Sequence, residues 1–591
     1  AQARRVAAPR HRPAAQGTGE EARLLRLFAE DETREAALHP IEGIAQGEAV
    51  DPAALAQVFT PELGRRQRAS VDASLAALAR IDAARLPPAR QISYAAFDAE
   101  KRAERAMLAP DVLALTEPRP FNHFLGLHVQ FPALMSGNGI VPFASTADYR
   151  RALRIDAAFA GVLDNTILRF RDGLATGVVE SKLTVRNMIV QIDGLLAQGT
   201  TGSPFYGPVK AFPAAVPAHL RPALQREYAD VIDTRVNPAY RRLRDFLRDE
   251  YLPGARDGVG LAAMKGGATL YPLLVAQETT LPLDPAQVHR LGLSEVARIQ
   301  AEMDVVKAEL GYAGPLRGFF DRIRADPRYH PKSADELAEG YARIGQAVDA
   351  QIPRLFSRVP RTPLEIRPFP AYRQRFEAGG SYDAGTADGT KPGTFYFNTW
   401  DLSNRFLTGM ATLYLHEGKP GHHFQISLAL EDASLPDFQR YGGNNAYVEG
   451  WALYAETLGY DMGLYRDPMQ HWGTLDDEML RAMRLVVDTG IHAAGPVGGW
   501  SREQAIAYML ANSGMGRNDA AVEVDRYIAN PAQALSYKIG ALTIERLRDK
   551  ARAALGPRFD IRAFHEQVLG SGALPLPVLE MKIDRWIAAA R

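Results

Sequence analysis

The sequence predicts a mainly α-helical protein. Apolar residues recur three and four apart over long stretches, with charges between them. Glycine and proline cluster between those stretches, and one segment alone has the aromatic and β-branched character of a strand.

Taken in order, the opening "AQARRVAAPRHRPAAQGTGEEA" is rich in Ala, Arg and Pro, so residues 1–23 are expected to be a disordered leader or linker before a first helix near Leu24. No apolar segment follows Arg4–Arg5, so the pair is not itself an export signal. A terminus trimmed after export fits, and the protein is expected to be periplasmic or secreted. Residues 24–255 read as an N-terminal helical region that includes "SLAALARIDAARL" (74–86), with breakers at 86–88 and 200–208. The breaker "YLPGARDGVG" (251–260) leads into a C-terminal helical region, 256–591, expected to carry the catalytic centre. There "SEVARIQAEMDVVKAEL" (294–310) and "SADELAEGYARIGQAVDAQIPRLF" (333–356) predict helices, the second capped by Ser333 with acidic residues in its first turn. Residues 379–400 predict β structure around "GTFYFNT". That strand is expected either to lie exposed, holding an extended peptide by its backbone, or to form an ordinary surface hairpin.

Composition narrows the function. Lys plus Arg and Asp plus Glu number 69 each, so no overall field favours nucleic acid or an acidic membrane. No apolar run reaches the roughly 18–20 residues of a transmembrane helix. Cysteine is absent, so any bound metal must be held by His, Asp or Glu. The oligomeric state is left open.

Three of the thirteen histidines fall within residues 416–423, in "HEGKPGHH". Phe406, Leu407, Met410, Leu413 and Tyr414 form an inward stripe that Glu417 continues, so His416 and Glu417 are expected to end a buried helix. A buried ionisable pair is costly unless it is satisfied, and a metal ion satisfies it. In the H-E-x-x-H arrangement two histidines four apart share a helix face and the glutamate serves as general base. Here the position four after His416 is Pro420, which has no ligand atom and no amide to bond back to the His416 carbonyl. The helix must bulge or break over Lys419–Gly421. On an unbroken helix His423 would return to the face of His416, and His422 would point about 120° away. A break would let His422 serve equally well. The third ligand is expected from "NNAYVEGWALYAETLGYDMG" (444–463): Glu449 as the carboxylate ligand, with Glu456 seven residues on to orient a histidine.

"HEGKPGHHFQ" and "EGWALYAE" together resemble the bacterial family catalogued as domain of unknown function 885. "YLPGAR", "TTLPLDPAQVHRLGLSEVARIQAEM", "DTGIHAAGPVGGWSREQAIAYM" and "NPAQALSYKIG" resemble further family segments in the same order, from about Leu24 to the C-terminus. The resemblance implies an oligopeptidase-like helical fold with a deep cleft and a small β element beside the metal. It implies that His416, His422 and Glu449 hold one zinc ion and that Glu417 is the general base. Metallopeptidases also supply His, Tyr or Arg to the developing oxyanion. His492, Arg526, Tyr527 and Tyr537 are the candidates, Tyr537 first because a neutral phenol donates without competing for the metal. Lys538 is a weaker candidate for a substrate carboxylate.

The expected function is that of a zinc-dependent metallopeptidase acting on short peptides. Its rivals are a zinc hydrolase of non-peptide amides or esters, a metal-stabilised binding protein without catalysis, and a helical scaffold without metal. Glu417 argues against the binding protein, because a structural site needs no general base beside a ligand.

Overall fold

The computed structural model describes residues 19–374 and 378–591. Most of the expected leader, residues 1–18, lies outside the described residues. Its predicted end at residue 23 is corrected: helix α1, Glu20–Leu38, is already under way there. Leu24, Leu27 and Phe28 form its buried face. Phe28 meets Phe97 and Phe438 at centroid distances of 4.9 and 4.8 Å, which ties the first helix to the C-terminal region.

The helix predicted over 74–86 is displaced. Helix α2 runs Pro61–Leu78, with Thr60 accepting from the Leu63 amide at its start. The Asp82 carboxylate then accepts from the Ala84 amide and caps a separate 3-10 turn, Ala83–Arg85. The apolar period runs on past the helix because Leu78 and, on either side of the turn, Ile81 and Leu86 enter one buried cluster. Helix α3, Pro88–Met107, buries Ile92 and Ala96 in the C-terminal core. Helix α4, Thr146–Thr176, organises a separate apolar cluster drawn wholly from Ile44 to Ala255.

Downstream, α5 (Pro285–Glu309) and α6 (Ala334–Leu355) match the two predicted helices to within a residue at the ends they share, α5 starting earlier, and Ser333 caps α6 by accepting from the Glu336 amide. Between α6 and the histidines lies a three-stranded sheet of order β1-β3-β2. Strand β1 is Leu364–Pro368, β2 is Gly380–Asp383 and β3 is Gly393–Phe397. The predicted strand is β3, but it is neither exposed nor half of a simple hairpin. It pairs parallel with β1 and antiparallel with β2, and buries Phe395 and Phe397 against Tyr341. Strands β1 and β2 are the two edges, and β2 is buried along Gly380, Ser381 and Tyr382. The Asn398 amide donates to the Gly379 carbonyl, so residues 379, 381 and 383 face β3, and Gly380 and Tyr382 turn their backbone groups outward.

Six further helices frame the site: α7 (Met410–Glu417), α8 (His422–Glu431), α9 (Asn445–Asp461), α10 (Pro468–His492), α11 (Arg517–Ala529) and α12 (Ser536–Leu555). No helix among the described residues is long and apolar enough to cross a membrane.

Candidate metal centre

Helix α7 is buried along Met410, Tyr414 and Leu415 and delivers His416 and Glu417 at its last turn. The chain then breaks rather than bulging within one helix. The Gly418 amide closes onto the Tyr414 carbonyl, Pro420 offers no amide, and α8 starts afresh at His422. Gly421 has to be glycine: a Cβ there would lie 2.0 Å from the His416 carbonyl oxygen and 2.3 Å from that of Leu415. The Trp451 indole N–H donates to the Pro420 carbonyl at 2.9 Å and pins the turn to α9.

Because α8 has its own axis, the unbroken-helix extrapolation to His423 fails. His422 is the residue that joins His416, with the rings T-shaped and their centroids 4.8 Å apart. His423 turns to the sheet, its Nδ1 lying 3.0 Å from the Tyr382 hydroxyl, and burial pushes its imidazole down to about 4.

Helix α9 begins with the Asn444 side chain accepting from the Tyr447 amide. It presents Glu449 and Glu456 on one buried face, as a separation of two turns requires. Glu456 accepts from His416 Nδ1 at 2.7 Å, which fixes the ring's orientation and aims Nε2 at Glu449. That Nε2 lies 3.4 Å from Glu449 Oε2, and His422 Nε2 lies 3.6 Å from the same oxygen. Ligands about 2.0–2.1 Å from a tetrahedral zinc stand roughly 3.3–3.4 Å apart, so these spacings suit a shared cation better than mutual hydrogen bonds. Neither His422 nitrogen, nor Glu449 Oε2, nor Glu417 Oε2 has a hydrogen-bond partner, although all four atoms are buried. The residues fit the metal.

The electrostatics agree with the fit. Burial works against a charged imidazole, yet the carboxylates of Glu449 and Glu456 hold His416 up at about 10. Burial likewise raises Glu449, but His416 and His422 hold it well below the usual carboxylate range. The pocket favours a positive charge at its centre.

Tyr537 reaches this centre through a close helix crossing. Helices α9 and α12 meet at Gly450 and Gly540, where a Cβ on Gly450 would lie 2.5 Å from the Gly540 Cα. One turn away Tyr537 packs on Leu453, with its hydroxyl buried and unpartnered. Other candidates are engaged elsewhere. His492 accepts from the Leu261 amide at Nδ1 and donates to the Tyr527 carbonyl from Nε2, so neither nitrogen remains for an oxyanion; it is a packing residue. The Tyr527 hydroxyl donates to Glu523 and accepts from Arg484. Arg526 donates to Gln533 and lies over the Phe124 ring, 5.4 Å from its centroid. Lys538 is held by Glu478 and Glu295 at 2.6 and 3.0 Å, which removes it as a carboxylate receptor. Sequence reasoning missed Arg481 and Arg484, whose guanidinium groups lie 4.9 and 4.7 Å from the Tyr537 ring centroid. The signal for them was two arginines three apart in the otherwise apolar run "RAMRLVV".

Fold and site together define a mainly α-helical protein with a buried His-His-Glu cluster suited to a metal ion. The chain belongs to the family described as bacterial protein of unknown function (DUF885), whose model matches residues 40–583. The crystal structure of "the putative lipoprotein from Colwellia psychrerythraea" is 28% identical, covers 97% of this chain and 100% of its own, and superposes with a TM-score of 0.86. A "putative lipoprotein of unknown function from Shewanella oneidensis" shares the fold at 19% identity and a TM-score of 0.74, covering 94% of this chain and 99% of its own. No curated protein matches the chain.

Proposed function

We propose that the protein is an exported zinc-dependent peptidase that hydrolyses short peptides. The observation that carries this reading is Glu417. Its Oε2 is buried without a partner immediately beside the ligand His416, where a purely structural metal site would have no use for it. His416, His422 and Glu449 would hold the zinc ion, which would supply Lewis acidity when bound. Glu417 takes the proton from the attacking water and returns it to the leaving amine. The Tyr537 hydroxyl donates to the oxyanion as the carbonyl becomes tetrahedral. Export fits the names of the two lipoprotein relatives. A deep cleft admitting oligopeptides and excluding folded proteins belongs to the same proposal.

The test is elemental analysis of the purified protein paired with cleavage of a peptide panel before and after chelation. One zinc per chain and chelator-sensitive peptide cleavage are expected. Turnover of amides or esters but of no peptide would replace the substrate class. Absence of stoichiometric metal would end the proposal.

A further inference from the structure

Helix α10 turns Arg481 and Arg484 toward Tyr537, and the donors gathered there are not matched by acceptors. Among the described residues Arg481 makes no hydrogen bond or ion pair, and its buried Nε has no acceptor. Asp477, one turn earlier on α10, feels the Arg481 charge without being hydrogen-bonded to it. Arg484 is 2% exposed; it donates from Nε to the Tyr527 hydroxyl and from Nη2 to Glu523, each at 3.1 Å. Its Nη1 is buried with no acceptor. Arg526, which acts electrostatically on both Glu523 and Tyr537, also leaves a buried Nε unsatisfied. Three guanidinium groups thus act on Glu523, and only Arg484 is hydrogen-bonded to it. Buried donors are nearly always satisfied, and a guanidinium's planar fork matches a carboxylate. The Tyr537 ring against which both guanidinium groups lie sits one helix turn from the Gly450–Gly540 crossing, and its phenol feels the charge of Glu449 at the metal centre.

We propose that Arg481 and Arg484 form a subsite for a substrate carboxylate next to the metal centre, so that a peptide is cut close to its C-terminus. This rests on the peptidase reading above. The terminal carboxylate and an acidic side chain near the terminus share the required chemistry, and the two sources are separable.

The experiment compares three N-blocked tripeptides: a free acid, its C-terminal amide, and an amide carrying a glutamate as last residue. With the zinc-loaded protein the free acid is expected to exceed its amide in kcat/KM by about ten- to a hundredfold, the range of charge-assisted hydrogen bonds. In Arg481→Gln that preference collapses through a raised KM for the acid, and Arg481→Lys restores part of it. Preference for the glutamate amide over the plain amide would assign the subsite to a side chain instead. Equal turnover of all three peptides, or a preference that survives Arg481→Gln, overturns the subsite and leaves the peptidase standing. If no peptide is cleaved with zinc bound, the peptidase reading fails on its own. Calorimetric titration of Glu417→Gln protein with the free acid and its amide then still judges the subsite: binding of the acid alone supports it, and equal binding overturns it. The same wild-type comparison stands should Arg481→Gln fail to fold.

Discussion

Glu449 and Glu456 stand two turns apart on one helix and meet opposite sides of the same imidazole: Glu449 lies 3.4 Å from His416 Nε2, and Glu456 accepts from His416 Nδ1 at 2.7 Å. One helical face therefore provides a candidate ligand and the group that aims another. Glu456→Gln is expected to weaken zinc binding about 10–100-fold while the fold is retained, as measured by competition against a chromophoric chelator.

Glu417 touches none of the ligand-orienting bonds, so its loss should separate chemistry from metal binding. Glu417→Gln is expected to lower kcat by about 10²- to 10⁴-fold with zinc content unchanged. Unaltered turnover with zinc in place would show that the base lies elsewhere.

Tyr537→Phe removes one hydroxyl and leaves the ring that packs on Leu453 and beneath the two arginines. A fall in kcat of about 10²–10³-fold with little change in KM is expected if the phenol serves the oxyanion. A change confined to KM would instead make it a substrate-positioning group.

Gly421→Ala would force a Cβ against the His416 and Leu415 carbonyl oxygens, both of which are backbone and hard to displace. Destabilisation of about 1–3 kcal/mol or more is expected in urea unfolding, together with weaker zinc binding because α7 and α8 would be pushed apart.

Glu523 couples the arginine cluster to acid stability. Burial raises its carboxyl, but Arg484, Arg526 and the Tyr527 hydroxyl overcome that and bring it from an ordinary 4.5 to about 2. A folded value below the unfolded one stabilises the protein above about pH 4.5, and that contribution is lost as the pH falls toward 2. It amounts to roughly 3 kcal/mol at most. In denaturant titrations Glu523→Gln should flatten the decline in stability across that window, and an unchanged decline would remove Glu523 as its source.

Helical periodicity made most of the site legible. His416, Glu417, Glu449 and Glu456 each follow from a 3.6-residue repeat along one element, and the structure brings all four together. The choice between His422 and His423 did not follow from that repeat, because the direction of α8 depends on the backbone of Gly418–Gly421 rather than on a periodic pattern. Strand β1 was hidden because "LEIRP" is short and ends in proline, and its partner is the remote β3. Lys538 looked available beside Tyr537 until remote helices supplied Glu295 and Glu478. Arg481 and Arg484 resemble a solvated stripe until α12 covers them.

Where Gly450 meets Gly540, main chain rests on main chain with no side chain between to compress, rotate or be exchanged. The gap between the helices that carry Glu449 and Tyr537 is accordingly gauged by the thickness of two peptide backbones. Substitutions in the surrounding apolar core can alter how firmly the molecule holds together and still leave that gap untouched.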